Sequence, residues 1–129
     1  MRSAMRMTKI RLSKYNWYCA TLLYMALLVY VSVMPADMTH HPTVTAEVTH
    51  NLCHVPAYGI LFYLLLHCFA NFGWKTKFYA FLIASSFGTF NEFLQSFVPS
   101  RQASFSDMLL NATGAIITWL LINKRIIKI

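Results

Sequence analysis

Four stretches of the chain are apolar enough, over a sufficient length, to cross a bilayer as helices, which takes about 20 residues each. Residues 15–36 carry no charged side chain, and neither do Val48 to Trp74. Residues 78–98 are apolar except for Glu92 and a few neutral polar groups, and Met108 to Asn123 lie between Asp107 and Lys124. The pattern predicts an all-α integral membrane protein, a four-transmembrane-helix bundle with spans near 15–36, 49–72, 78–98 and 105–123. These spans occupy nearly all of 1–129, so a single membrane domain is expected. A second span opening at Pro56 would reach only about 22 Å to Ala70, short of the hydrocarbon thickness. It is therefore placed from Thr49, with Pro56 in its early turns. The first span is longer than a signal-peptide core and lacks a clear small-residue cleavage pattern, so it reads as a retained anchor.

Composition agrees with the pattern. Hydrophobic residues make up 57% and charged residues 12%, against about 25% charged in soluble domains. A short chain cannot bury that much apolar surface by folding on itself. The net charge of +7 invites a nucleic-acid reading, but the distribution of the basic residues explains it otherwise. Arg2, Arg6, Lys9, Arg11 and Lys14 precede the first span, Lys75 and Lys77 separate the second and third, and Lys124, Arg125 and Lys128 follow the fourth. Only Arg101 falls on the other side. Basic residues mark the cytoplasmic side, so both termini are expected there, and no nucleic-acid partner is expected. Cys19, Cys53 and Cys68 have no metal-type spacing.

Polar residues gather toward the opposite, outer end. Asp37, His40, His41, Glu47, His50 and His54 lie in or after the outer loop, Glu92 and Gln95 near the end of the third span, and Asp107 and Asn111 at the start of the fourth. Ionisable groups at membrane depth are costly, about 2.5–3.5 kcal/mol even on lenient scales, and mark functional sites by default. Helical spacing aligns them. Ala80, Ala84, Gly88 and Glu92 recur every four residues, a small-residue ridge that permits close helix approach. Glu92 extends that ridge into the bundle, about 9 Å inside the span. Asp107, Asn111, Ala115 and Thr118 form a second stripe, and His50, His54 and Tyr58 a third. Three helices thus direct polar faces at one outer pocket. The loop histidines, with Asp37 or Glu47, match no standard metal-ligand spacing, and neither a metal nor another cofactor is expected.

These motifs resemble the VanZ-like family. The resemblance runs from about Met34 to Ile122. It rests on His54-x-x-x-Tyr58, Glu92-x-x-Gln95 and Pro99-x-Arg101-x-x-Ser104-x-x-Asp107-x-x-x-Asn111-x-x-Gly114. It implies a small multi-pass protein of the bacterial cytoplasmic membrane and cell envelope, in a family with one member linked to teicoplanin resistance. The family often carries Asp-Lys four and three residues before the histidine. Here those positions are His50 and Asn51, so any role of that pair does not transfer.

Each candidate has a structural reading beside the functional one. Ser104-x-x-Asp107 resembles a capping box, so Asp107 either caps the fourth helix or serves a site, or does both. Asn111 is interhelical glue or a positioning group. Arg101 pairs with a carboxylate or lipid headgroups, or clamps a ligand. Glu92 is paired structurally or reactive, His54 is a packed histidine or a titrating one, and Tyr58 is a core aromatic or a binding group.

Two functions remain open. In the first, His54, Glu92, Arg101 and Asp107 form the catalytic set of a hydrolase or transferase, with Tyr58, Gln95 and Asn111 binding a lipid-linked or headgroup substrate at the outer leaflet. In the second, the same pocket holds a lipid or glycopeptide without turnover, or the protein is an envelope-assembly scaffold. Membrane lipids and a lipid-linked envelope precursor are the expected partners.

Overall fold

The computed structural model describes residues 2–34, 44–99 and 104–129, with side chains described over 15–34, 52–99 and 104–129. The architecture is four helices in chain order, α1 (Arg2–Val33), α2 (Val44–Cys68), α3 (Trp74–Gln95) and α4 (Phe105–Asn123). There is no strand among the described residues. Tyr15–Val33 of α1 and the whole of α4 are long and apolar enough to cross a membrane, and α2 has a shorter apolar run, Leu52–Cys68.

Helix ends follow local chemistry. Alpha-helix α4 begins as the expected span does, because Ser104 is an N-cap whose side chain accepts a hydrogen bond from the Asp107 amide at 3.4 Å. It ends with the Arg125 amide bonded to the Ile122 carbonyl and the Ile126 amide to that of Leu121. That paired arrangement satisfies the last carbonyls and needs a left-handed residue after the cap, and Arg125 adopts it with φ 57°. Helix α3 stops at Gln95, three residues before the expected end at Val98. Ser96 turns the chain, and Pro99 disfavours helix at the residue before it. Helix α2 starts at Val44, ahead of the expected Thr49, so Pro56 lies mid-helix. Backbone hydrogen bonding continues through the polar turn that a hydropathy criterion passes over.

The expected stripes face inward. Ala80, Ala84, Gly88 and Glu92 of α3 are buried, as are Asp107, Asn111, Ala115 and Thr118 of α4. They enclose a core with Tyr58, Leu61, Phe62, Leu65 and Leu66 of α2. Helices α2 and α4 pack most extensively, at a crossing that depends on two glycines. A Cβ on Gly114 would stand 2.1 Å from the Val55 carbonyl oxygen, and one on Gly59 would stand 2.6 Å from Thr118 Oγ1. On α3, a Cβ on Gly88 would stand 2.9 Å from Asn111 Nδ2. The outer surface is the reverse of a soluble one. Leu22, Leu23 and Tyr30 of α1, Phe90 and Phe93 of α3, and Phe105 and Leu109 of α4 are all exposed, Leu23 at 74%.

Helix α1 is the outlying element. Its Tyr18 and Tyr24 hydroxyls donate to the Cys68 and Ala57 carbonyls of α2 at 2.9 and 3.0 Å. Near the C-terminal end of α2, the His67 ring lies 4.2 Å from Trp17 and 4.5 Å from Tyr63, centroid to centroid. At this end Lys77 of α3 donates to Asn123 of α4 at 2.5 Å. The described basic side chains, Lys75, Lys77, Lys124, Arg125 and Lys128, sit at the start of α3 and the end of α4.

Candidate functional site

At the other end of the bundle, three ionisable groups from three helices meet. Ligand-type atoms of His54 on α2, Glu92 on α3 and Asp107 on α4 lie within 4.8 Å of one another. Glu92 is 0% exposed, Asp107 6%, and His54 is partly buried. Each arrives there by its place on a stripe. Glu92 ends the small-residue ridge of α3, Asp107 opens the inward face of α4, and His54 sits one turn before buried Tyr58.

The surrounding polar groups fix these side chains. His54 Nδ1 lies 2.8 Å from Asn111 Oδ1. A carbonyl oxygen only accepts, so Nδ1 carries the proton and donates. Asn91 Nδ2 donates to the Tyr58 hydroxyl oxygen at 3.3 Å. The His54 and Tyr58 rings run nearly parallel, 10° apart, with centroids 6.4 Å apart. The Ser104 amide donates to Glu92 Oε2 at 3.3 Å. In a full capping box the acid three residues into the helix takes that amide. Glu92 takes it here, so the box is only half formed, and the Asp107 carboxylate meets the other two groups in the cluster. Asp107 Oδ1, Asn111 Nδ2 and Asn91 Oδ1 are buried without a hydrogen-bond partner. Such atoms are few in native proteins, and a water or an ion is a common partner for them.

A cavity of about 140 Å³ adjoins the cluster between α1, α2 and α3. Its wall is apolar at Leu28, Val31 and Ala57 and polar at His54, Asn91 and Gln95. Cys53, a free thiol, also lines it.

Six of the seven residues singled out in the sequence, His54, Tyr58, Glu92, Gln95, Asp107 and Asn111, thus collect at one end of the bundle. The seventh, Arg101, lies outside the described residues, as do the side chains of Asp37, His40, His41, Glu47 and His50. Asn91 had not been singled out. Its signal was its position, three residues after Gly88 and four before Gln95, on the buried face of α3.

An all-helical protein with exposed apolar side chains and a buried polar cluster at one end defines a class, but many chains share it. The particular family follows from comparison. The VanZ/LLP1 family model matches residues 17–128, and the chain belongs to this VanZ-like family. No curated protein and no solved structure matches the chain.

Proposed function

We propose that this VanZ-like protein crosses the bacterial cytoplasmic membrane four times with both termini inside, and that its polar cluster is a site for a lipid-linked or headgroup substrate at the outer leaflet, where it acts as a hydrolase or transferase. The observation that carries the proposal is the meeting of His54, Glu92 and Asp107 within 4.8 Å, with both carboxylates buried. Burying carboxylates this close together costs several kcal/mol unless they are compensated, and structural stability alone would be better served by apolar packing. The adjoining cavity joins an apolar wall to polar groups, which suits an amphiphile with its chain along α1 and its headgroup at the cluster.

The residues have distinct tasks in this reading. Glu92, fully buried where three helices meet, serves as general acid or base. His54, oriented by Asn111 at 2.8 Å, presents its other ring nitrogen to the ligand. Arg101, between α3 and α4 in the sequence, clamps a phosphate or carboxylate through its two-point fork. Gln95 and Tyr58 line the pocket, and Asp107 meets His54 and Glu92 beside it. Teicoplanin resistance, if conferred, would follow from a changed envelope lipid.

The membrane arrangement is tested by cysteine accessibility in whole cells. A cysteine at Phe97 should label from outside, and one at Lys75 only after the membrane is opened. Labelling of both from the same side would overturn the arrangement. The activity is tested by reconstituting the purified chain in vesicles of bacterial envelope lipids and following each lipid by mass spectrometry. Conversion of one lipid class supports the enzyme. A lipid that is held but never converted replaces it with the non-catalytic binder.

A further inference from the structure

The histidine-rich outer loop offered no metal-type spacing in the sequence, but the fold assembles a different donor set. His54, Glu92 and Asp107 come from three helices and are separated by 38 and 15 residues along the chain (92 − 54 and 107 − 92). Each presents one donor atom, and the three lie within 4.8 Å of one another. We infer that these three residues bind one divalent transition-metal ion, with zinc the best match to the set.

Two features beyond proximity support this. The first is the orientation of the imidazole. Its Nδ1–H is committed to Asn111 Oδ1 at 2.8 Å, which puts the lone pair of a neutral ring on Nε2. Metal-binding histidines are held in this way, with the second ring nitrogen donating to a carbonyl or carboxylate. The second is Asp107. It is 6% exposed, and its Oδ1 is buried without a hydrogen-bond partner. A carboxylate used only as a helix cap would face its own helix end, but the Ser104 amide it would take there is held by Glu92.

Donor type and number indicate which ion. One imidazole nitrogen and two carboxylate oxygens make a mixed set that suits zinc better than magnesium or calcium, which prefer oxygen alone. Three protein ligands with a fourth position left for water or substrate is the pattern of catalytic zinc, whereas structural zinc takes four. Donors about 2.0–2.2 Å from zinc stand roughly 3.3–3.6 Å apart in a tetrahedron. The trio therefore closes by no more than about 1.5 Å around the ion, within the reach of side-chain rotation. The fourth position would serve the same cavity that His54 lines. The inference rests on the cluster used in the proposed function but not on its substrate. Binding is read without any lipid.

The test uses the full chain, purified in detergent, stripped with a chelator and titrated with zinc by calorimetry. One zinc per chain is expected, and a large excess of magnesium or calcium should not displace it. Asp107→Asn and His54→Gln should each weaken binding about 100-fold or more, and Asn111→Ala about 10–100-fold, the usual loss when the group orienting a ligand is removed. Zinc should raise the melting temperature of the wild type and leave that of Asp107→Asn unchanged. A triple variant, His40→Ala, His41→Ala and His50→Ala, should bind as the wild type does. Overturning results are less than one zinc per chain, or binding that survives in Asp107→Asn and His54→Gln and disappears in the triple variant. In those cases the three side chains do not form a metal site. Absence of zinc binding together with lipid conversion by the same protein would refute the metal and leave the proposed function standing.

Discussion

Gly114→Ala is expected to sharply reduce the folded yield and to melt well below the wild type. The added Cβ would stand 2.1 Å from the Val55 carbonyl oxygen, 2.9 Å from its carbon and 3.1 Å from the Gly59 amide nitrogen. All three are backbone atoms of α2 and cannot rotate aside, so the helices must part. Overpacking costs about 1–3 kcal/mol and occasionally more, and a clash with backbone belongs at the upper end. The separation would also stretch the bond from His54 on α2 to Asn111 on α4. Gly59→Ala should be milder, because its closest contact is the Thr118 hydroxyl, a side-chain atom. Gly73→Ala should be nearly neutral, with its nearest neighbour 3.7 Å away. Thermal melting of the three purified variants in one detergent checks the order. Equal melting of Gly114→Ala and Gly73→Ala would mean that α2 and α4 do not pack this closely.

That crossing also shows where the sequence was readable and where it was not. The α3 ridge was visible because small residues repeat every four positions up to Glu92, and the inward face of α4 was visible for the same reason. Gly59 and Gly114 belong to no such repeat. Their role depends on which turn of α2 meets which turn of α4, a matter of three-dimensional register that spacing within one helix does not encode. The start of α2 was hidden for a different reason. Hydropathy marks where a helix becomes apolar, whereas the hydrogen-bonded helix begins at Val44, ahead of the expected Thr49.

The second large effect is expected at Glu92. Glu92→Gln keeps the size of the side chain and an oxygen to accept from the Ser104 amide, so folding should be retained. In metal-free protein, melting should equal or exceed that of the wild type, because a buried charge is removed. In the vesicle assay, lipid conversion should fall by about 10²–10⁴-fold, the usual contribution of a general acid or base. A variant that folds normally and converts lipid at the wild-type rate would show that Glu92 has no part in proton transfer.

The site was legible in pieces. Single positions such as Glu92 and Asp107 were conspicuous because ionisable groups are costly at membrane depth. The Ser104–Asp107 cap was legible from spacing, and its amide bond is present. Its exchanged partner was not legible, since Glu92, twelve residues earlier on another helix, takes the Ser104 amide. The metal-type trio escaped the sequence for the same reason. Its members share no local spacing, and only the packing of α2, α3 and α4 brings them within 4.8 Å.

The central claim is that the cluster and Arg101 serve one ligand, and Arg101→Lys tests it most directly. Lysine keeps the positive charge and loses the two-point fork. The measurement is the lipid that co-purifies with gently solubilised protein, identified and counted by native mass spectrometry for wild type and variant at matched folded yield. The account predicts that the wild type retains one class of anionic headgroup lipid and that Arg101→Lys folds equally well and loses it. Retention of the same lipid at the same occupancy by Arg101→Lys would contradict the account and leave Arg101 a purely structural or interfacial charge.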